Sequence, residues 1–300
     1  MRVKTKRCFG WVMRSDVKIG PVAIGGLGGS GTRVAARMLR EGGLYTGNAL
    51  NDADDNLWFT LLFRRPETIK DPDDARLMPL LDLFEARMQG KHRWSLQEQR
   101  MLWSCALEFV QHRYVPLQRV GFPLRTLRSF FKRYNESNQT AWGWKEPNAH
   151  IFLPLLVKRF ENLRYVHVLR HPLDAAFGTN QRQLHNWGFL FGIGGIDPHA
   201  MLQFYQAANR RALAFGERLG KRFLLVRYEE LCAAPRVWAK RLLDFAGLEA
   251  GEQAVERVQR LADPERAAPR FNTVADANLL TYANRVAEEF GYPVVQPVIR

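Results

Sequence analysis

Apolar residues along this chain gather in short runs separated by glycine-rich, polar or helical stretches. Val22-Ala23-Ile24 is a brief apolar strand that runs straight into a glycine cluster. The next segment, Val34 to Leu39, sets Val34, Met38 and Leu39 at helical spacing. From about residue 56 to 138 the pattern is mostly helical, rich in Arg, Phe, Leu and Trp, and lacks strand signals. That stretch is predicted to be a helical insertion or lid. Strand patterns return at Ala141–Trp144, Tyr165–Leu169 and Phe223–Val226. Asn148 is expected to cap a helix running to Phe160, and Pro172 to stand near the start of another. Helical patterns follow the last strand to Phe245 and recur from Ala275 to Phe290. Strands alternating with helices predict an α/β fold of three layers, a parallel sheet flanked by helices on both faces. No repeat, low-complexity linker or clear boundary divides it, so residues 1–300 are expected to form a single domain with a basic N-terminal arm over 1–19.

Composition narrows the picture modestly. With 300 residues and 46% hydrophobic content the chain can bury one large core. The formal net charge of +14 suits an anionic ligand, an anionic polymer or a membrane surface without choosing among them. The basic residues are dispersed and match no nucleic-acid module, which argues against specific nucleic-acid binding. Cys8, Cys105 and Cys232 are widely spaced and read as free thiols. No His or Cys cluster has metal-ligand spacing, so no metal is expected. No run approaches the roughly 18 apolar residues of a membrane span. Met1 to Lys18 is basic but interrupted by Arg14, Asp16 and Lys18, unlike a secretory signal, and a soluble, cytoplasmic protein is expected.

The chemistry starts at Val22-Ala-Ile-Gly-Gly-Leu-Gly-Gly-Ser-Gly-Thr-Arg33, which reads as strand, glycine loop and helix start. Such a loop turns several backbone N–H groups toward one anion, and the helix adds its positive end. Gly28, Gly29 and Gly31 let the anion approach, Ser30 and Thr32 offer hydroxyls, and Arg33 adds charge. A Walker A loop would carry Lys and Ser after its second glycine. Here Thr32-Arg33 stand there, so nucleotide triphosphate hydrolysis is not indicated. Gly26-Leu-Gly28-Gly-Ser-Gly31 also satisfies the dinucleotide fingerprint, with Asp52, Asp54 and Asp55 about 20 residues on. Those acids, however, lie in a polar, turn-like stretch where the fingerprint needs the end of a strand. An NAD(P)-dependent oxidoreductase is therefore the alternative reading.

The loop core Gly29-Ser30-Gly31-Thr32 resembles the 5′-phosphosulfate loop of the sulfotransferase superfamily. Tyr165-Val-His-Val-Leu-Arg-His-Pro-Leu-Asp-Ala-Ala-Phe-Gly-Thr179 resembles its 3′-phosphate segment, in which an Arg ends a strand and a Ser follows eight residues later. Arg170 fits, and a planar guanidinium there suits a terminal phosphate. The serine position is Gly178, leaving Thr179 as a substitute. Trp142-Gly-Trp-Lys145-Glu-Pro147-Asn resembles the Lys-x-Pro segment of carbohydrate-type and bacterial members. Val226-Arg-Tyr-Glu-Glu-Leu231 resembles a stretch after a later core strand, where it serves packing.

The resemblance covers roughly residues 20 to 250 and implies a P-loop-like fold. It also implies transfer of a sulfuryl group from 3′-phosphoadenosine 5′-phosphosulfate to a hydroxyl or amine of a saccharide, lipid or small molecule. On it, Lys145 stabilises the leaving group and Asp55 is the general base, with Asp52, Asp54, His92, His112 and His150 as rivals. Arg270 is a further candidate for the 3′-phosphate. Because Gly29 and Gly178 replace polar residues of the family pattern, a catalytically inactive relative that still binds the nucleotide is a second alternative. Trp58, Trp94 and Trp103 in the helical stretch are expected mainly in the core, with stacking on a sugar or packing on a lipid as the other possibility.

Overall fold

A computed structural model describes residues 20–65, 68, 74–111, 121–134, 141–178, 181–267 and 276–296. Its centre is a four-stranded sheet of order β2-β1-β3-β4, from β1 (Val22–Gly26), β2 (Gly143–Lys145), β3 (Arg164–Leu169) and β4 (Phe223–Arg227). All neighbours are parallel, with Ile24 opposite Lys145 on one side of β1 and opposite Val166 on the other. Parallel strands need crossovers, and helices supply them on both faces.

Strand alternation divides the core. Val22, Ile24, Val166 and Val168 face α1 (Thr32–Glu41), α10 (Tyr228–Ala233), α11 (Pro235–Ala246) and α12 (Glu252–Gln259), where Met38, Leu39, Trp238 and Val258 are buried. Ala23, Trp144, Tyr165 and Leu169 face the other way, onto aromatic residues of the helical stretch. That stretch forms α2 (Leu57–Phe63), α3 (Asp74–Met88), α4 (Leu96–Gln111) and α5 (Gly121–Phe131), with no strand among its described residues. Phe59 of α2 stacks on Trp144 of β2 at 5.5 Å between centroids, fixing α2 to the sheet. Trp58 and Trp94 are core residues, whereas Trp103 is 48% exposed.

One expectation is corrected. Asn148 does not cap a helix. Glu146 does, accepting from the Asn148 backbone N–H, and a 3₁₀ stretch Pro147–Phe152 precedes α6 (Leu153–Arg159), because Pro147 and Pro154 each open a new first turn. Pro172 opens a helix as expected, the short α7 (Pro172–Ala176). Residues 182–219, given no element from sequence, form α8 (Arg182–Trp187) and the 22-residue α9 (Pro198–Leu219). Asp197 starts α9, its carboxylate accepting from Ala200 N at 2.9 Å. The last helix is α13 (Ala277–Glu289). The N-terminal arm over 1–19 lies outside the described residues.

Candidate active site

In this sheet the connections leaving β1 and β3 turn opposite ways, which opens a crevice at their carboxyl ends. The glycine loop lies there. Gly31 has φ +97°, and a Cβ on it would come 2.1 Å from the Tyr228 ring, so only glycine fits. Ser30 N donates to Leu27 O at 3.1 Å, and Val34 N to Gly31 O at 2.9 Å. The Gly28 amide is taken by Gln183 Oε1 at 3.0 Å, while Gln183 Nε2 donates to Gly26 O at 3.3 Å. Gln183 thus braces both sides of the loop from α8. The amides of Gly29, Gly31 and Thr32 have no acceptor among the described residues. Ser30 Oγ is buried and has no partner among the described residues, and Arg33 is exposed on the first turn of α1.

Lys145 ends β2, on one side of the loop. It is buried, donates to Ala53 O at 3.1 Å and pairs with Asp55. Asn51 holds Asp55 in place, donating through Nδ2 to Asp55 Oδ2 at 2.9 Å and accepting from Asp55 N at 2.9 Å. The neighbouring acids go elsewhere. Asp52 is exposed, and Asp54 turns back to Arg37 at 2.6 Å and Arg40 at 2.9 Å on α1. Among the described strands, β2 ends in Lys145 and none ends in one of these acids, so the dinucleotide reading lacks its ribose carboxylate. Behind Lys145, Glu146 is buried and accepts from Thr60 and from Asn148 Nδ2. Burial, reinforced by the Asp55 charge, pushes the Glu146 carboxyl above the usual range. Asn148 is fixed in turn by Trp187 Nε1 at 2.7 Å.

Arg170 follows β3, on the opposite side of the loop from Lys145. It is buried, pairs with Asp174 at 2.5 Å and lies 4.9 Å over the Tyr228 ring that also packs on Gly31. One aromatic ring thus couples Arg170 to the glycine loop. His171 caps α7 and accepts from Leu173 N, while its own N–H donates to Glu229 at 2.9 Å. A Cβ on Gly178 would sit 2.8 Å from Asp174 O, which explains why no serine stands there. Thr179, His112 and Arg270 lie outside the described residues. His92 lies half-buried beyond α3, close to Gly90 O. His150 and His167 are buried with their rings 6.4 Å apart, and burial lowers both, His167 to about 4.

The carboxyl edge of the sheet therefore gathers a glycine loop with unused amides, a lysine–aspartate pair on one flank and a buried arginine on the other. The model of the sulfotransferase family matches residues 21–252. The chain belongs to the sulfotransferase family. The matched span takes in the glycine loop, Lys145, Arg170 and Tyr228 of this family member. The sulfotransferase domain from the curacin biosynthetic pathway is 16% identical, over 92% of this chain and 99% of that one, with a TM-score of 0.50, and supports the fold. A sulfotransferase domain from the Synechococcus PCC 7002 olefin synthase is 19% identical over 95% and 100% of the two chains, with a TM-score of 0.48. A Mycobacterium tuberculosis H37Rv sulfotransferase is 15% identical over 91% and 76%, with a TM-score of 0.44. No curated protein matches the sequence.

The sequence reading overlooked Gln183, Thr60 and the capping role of Glu146. Only Glu146 had a local signal, a carboxylate just before Pro-Asn; Gln183 acts across more than 150 residues.

Proposed function

We propose that this chain transfers a sulfuryl group from 3′-phosphoadenosine 5′-phosphosulfate to an acceptor hydroxyl or amine. The observation that carries the reading is Ser30 Oγ, buried without a partner inside a loop whose Gly29, Gly31 and Thr32 amides are also unused. A buried polar group left unpaired is costly, and an anion in the loop relieves it. These residues therefore fit a phosphosulfate.

The nucleotide supplies the activated sulfuryl group and its phosphate leaving group. The amides of Gly29, Gly31 and Thr32, with the Ser30 and Thr32 hydroxyls, bind its 5′ end. Gln183 holds the Gly28 amide and so sets the loop's shape, and Arg33 adds positive charge at the start of α1. Arg170 serves the 3′-phosphate across the loop, with Thr179, nine residues on, as a hydroxyl donor. Lys145 stabilises negative charge developing on the leaving oxygen. Asp55 takes the proton of the acceptor, its pairing with Lys145 giving way as Lys145 turns to that charge. Such chemistry relies on positioning and preorganised electrostatics. The acceptor belongs to the saccharides, lipids or small-molecule alcohols and amines.

Calorimetric titration with 3′-phosphoadenosine 5′-phosphate, with ATP and NADH as controls, tests the donor. The bisphosphate is expected to bind tightest. Ser30→Ala should weaken it about tenfold, the worth of one hydrogen bond to a charged group. Arg170→Lys, which keeps a cation beside buried Asp174, should weaken it as well. No binding of the bisphosphate would overturn the reading, and NADH binding in its place would restore the oxidoreductase alternative. Binding without transfer to any acceptor would leave an inactive relative.

A further inference from the structure

Helices α4 and α5 bury their inner faces against α2 and each other, through Leu102, Cys105 and Ala106 on α4 and Leu127 and Phe130 on α5. The adjoining, solvent-facing side of α4 carries Leu96, Trp103, Leu107 and Val110. At 100° per residue these four fall within an arc of roughly 60°. All are exposed, Leu96 to 75% and Leu107 to 56%. Leu124 and Phe131 repeat the arrangement on the outer face of α5. This row is not surface scatter, because it continues the buried apolar side of α4 out into solvent as an exposed stripe.

The free charges beside the exposed stripe are of one sign. Arg100 on α4 and Arg125 and Arg128 on α5 are exposed, as are Arg93 just before α4 and Arg133 just after α5, and none has a carboxylate partner among the described residues. The two carboxylates of α4 are already engaged, Glu98 by Lys91 and Glu108 by Arg65. A second copy of the same face would set these arginines against one another. Apolar anchors that include a Trp, edged by unpaired guanidinium groups, match the boundary between acyl chains and anionic headgroups.

We propose that the outer face of α4 and α5 docks on an anionic lipid bilayer. The apolar stripe enters the headgroup boundary, and the arginines meet lipid phosphates. No helix among the described residues is long and apolar enough to cross a membrane, so the contact is peripheral. The proposal does not depend on the reaction catalysed.

Flotation of the full chain with vesicles tests it, comparing phosphatidylcholine alone with phosphatidylcholine containing about one-third phosphatidylglycerol. Binding is expected only to the anionic vesicles and should weaken as salt rises. Trp103→Ser with Leu107→Gln should reduce it about tenfold through lost apolar burial. Arg100→Glu with Arg125→Glu and Arg128→Glu should reduce it at least tenfold. Because the whole chain is basic, a charge-matched control on exposed residues elsewhere, Lys221→Glu with Lys240→Glu and Arg241→Glu, should bind as the parent does. Circular dichroism confirms that each variant is folded. No binding to anionic vesicles, or equal loss in the control, would overturn the proposal. So would a dimer in sedimentation that the Trp103→Ser, Leu107→Gln variant dissolves, which would make this a contact between copies.

Discussion

Removing one side of the Lys145–Asp55 pair should cost very different amounts of stability depending on which side is removed. The side chain of Lys145 is 3% exposed and that of Asp55 is 15% exposed. In Asp55→Asn the buried ammonium loses its counter-ion and keeps only neutral acceptors, the Ala53 carbonyl and the new side-chain amide oxygen. Leaving a buried charge without its partner costs about 3–5 kcal/mol. The lower end applies here, because Glu146 lies behind and its carboxyl is raised by burial and by the Asp55 charge. With that charge gone, Glu146 ionises more readily and partly compensates Lys145. In Lys145→Met the orphan is the carboxylate instead. It keeps the Asn51 amide donor at 2.9 Å and is open enough to be hydrated, so the cost should be about 1–2 kcal/mol. Asp55→Asn is thus expected to be less stable than Lys145→Met by roughly 2 kcal/mol.

Urea denaturation at neutral pH measures both, and the double variant closes the cycle with a loss smaller than the two singles together. In parallel, single-turnover assays with the sulfuryl donor should find Lys145→Met slowed about 10²–10³-fold, the scale for one lost electrostatic donor. Equal destabilisation by the two single variants would refute the argument from burial. A normal transfer rate in Lys145→Met would remove Lys145 from the chemistry.

Three further outcomes follow from the packing. His150 and His167 are held neutral by burial, so their folded pKa values lie below the unfolded value near 6.5; stability should be complete above that pH and fall as pH drops toward 4, by about 3 kcal/mol from His167 alone. A denaturation midpoint that stays flat between about pH 7 and 5 would contradict this. Gly178→Ser, which restores the family's serine, should lower stability by about 1–2 kcal/mol without tightening nucleotide binding, because its Cβ meets Asp174 O at 2.8 Å; unchanged stability with tighter binding would show that the backbone yields. Gln183→Ala should cost about 1 kcal/mol of stability and weaken 3′-phosphoadenosine 5′-phosphate binding several-fold as the loop loses its brace, whereas unchanged calorimetric affinity would deny it that role.

What the sequence disclosed of the fold and site follows the range over which each feature is determined. The glycine loop is local: a strand, positions that only glycine can occupy and a helix start lie within a dozen residues, so composition alone exposes them. Lys145 and Arg170 stand at or just past strand ends, and strands are legible as short apolar runs. That the two flank the loop is a property of the sheet order, which places β1 between β2 and β3. The resemblance could name these residues but not their sides. Gln183 and the placement of the Tyr228 ring under Arg170 depend on contacts far apart in the chain; the 226–231 motif marks Tyr228 as a packing residue but not what it packs on, and no local pattern marks Gln183. The missed helix α9 is different, since Asp197-Pro198 is a cap followed by a first-turn proline and was readable.

The sharpest case is the choice among Asp52, Asp54 and Asp55, three acids in one short turn with the same chemistry. Asp54 adopts φ +62°, a conformation Asp tolerates better than most side-chain-bearing residues. Its carboxylate is held by Arg37 and Arg40, which are three apart and so lie on one side of α1. The Asn51 side chain accepts from the amides of Ala53 and Asp55 while its own amide donates to the Asp55 carboxylate. With Asp54 anchored to the helix that follows the glycine loop, and Asp55 gripped by Asn51, the remaining face of Asp55 meets Lys145 at the end of β2. The arginines that hold Asp54 lie on α1, the helix that follows the glycine loop. Arg37→Ala with Arg40→Ala should therefore loosen the turn and slow transfer more than it weakens nucleotide binding, while either result reversed would mean that Asp55 is positioned by Lys145 alone.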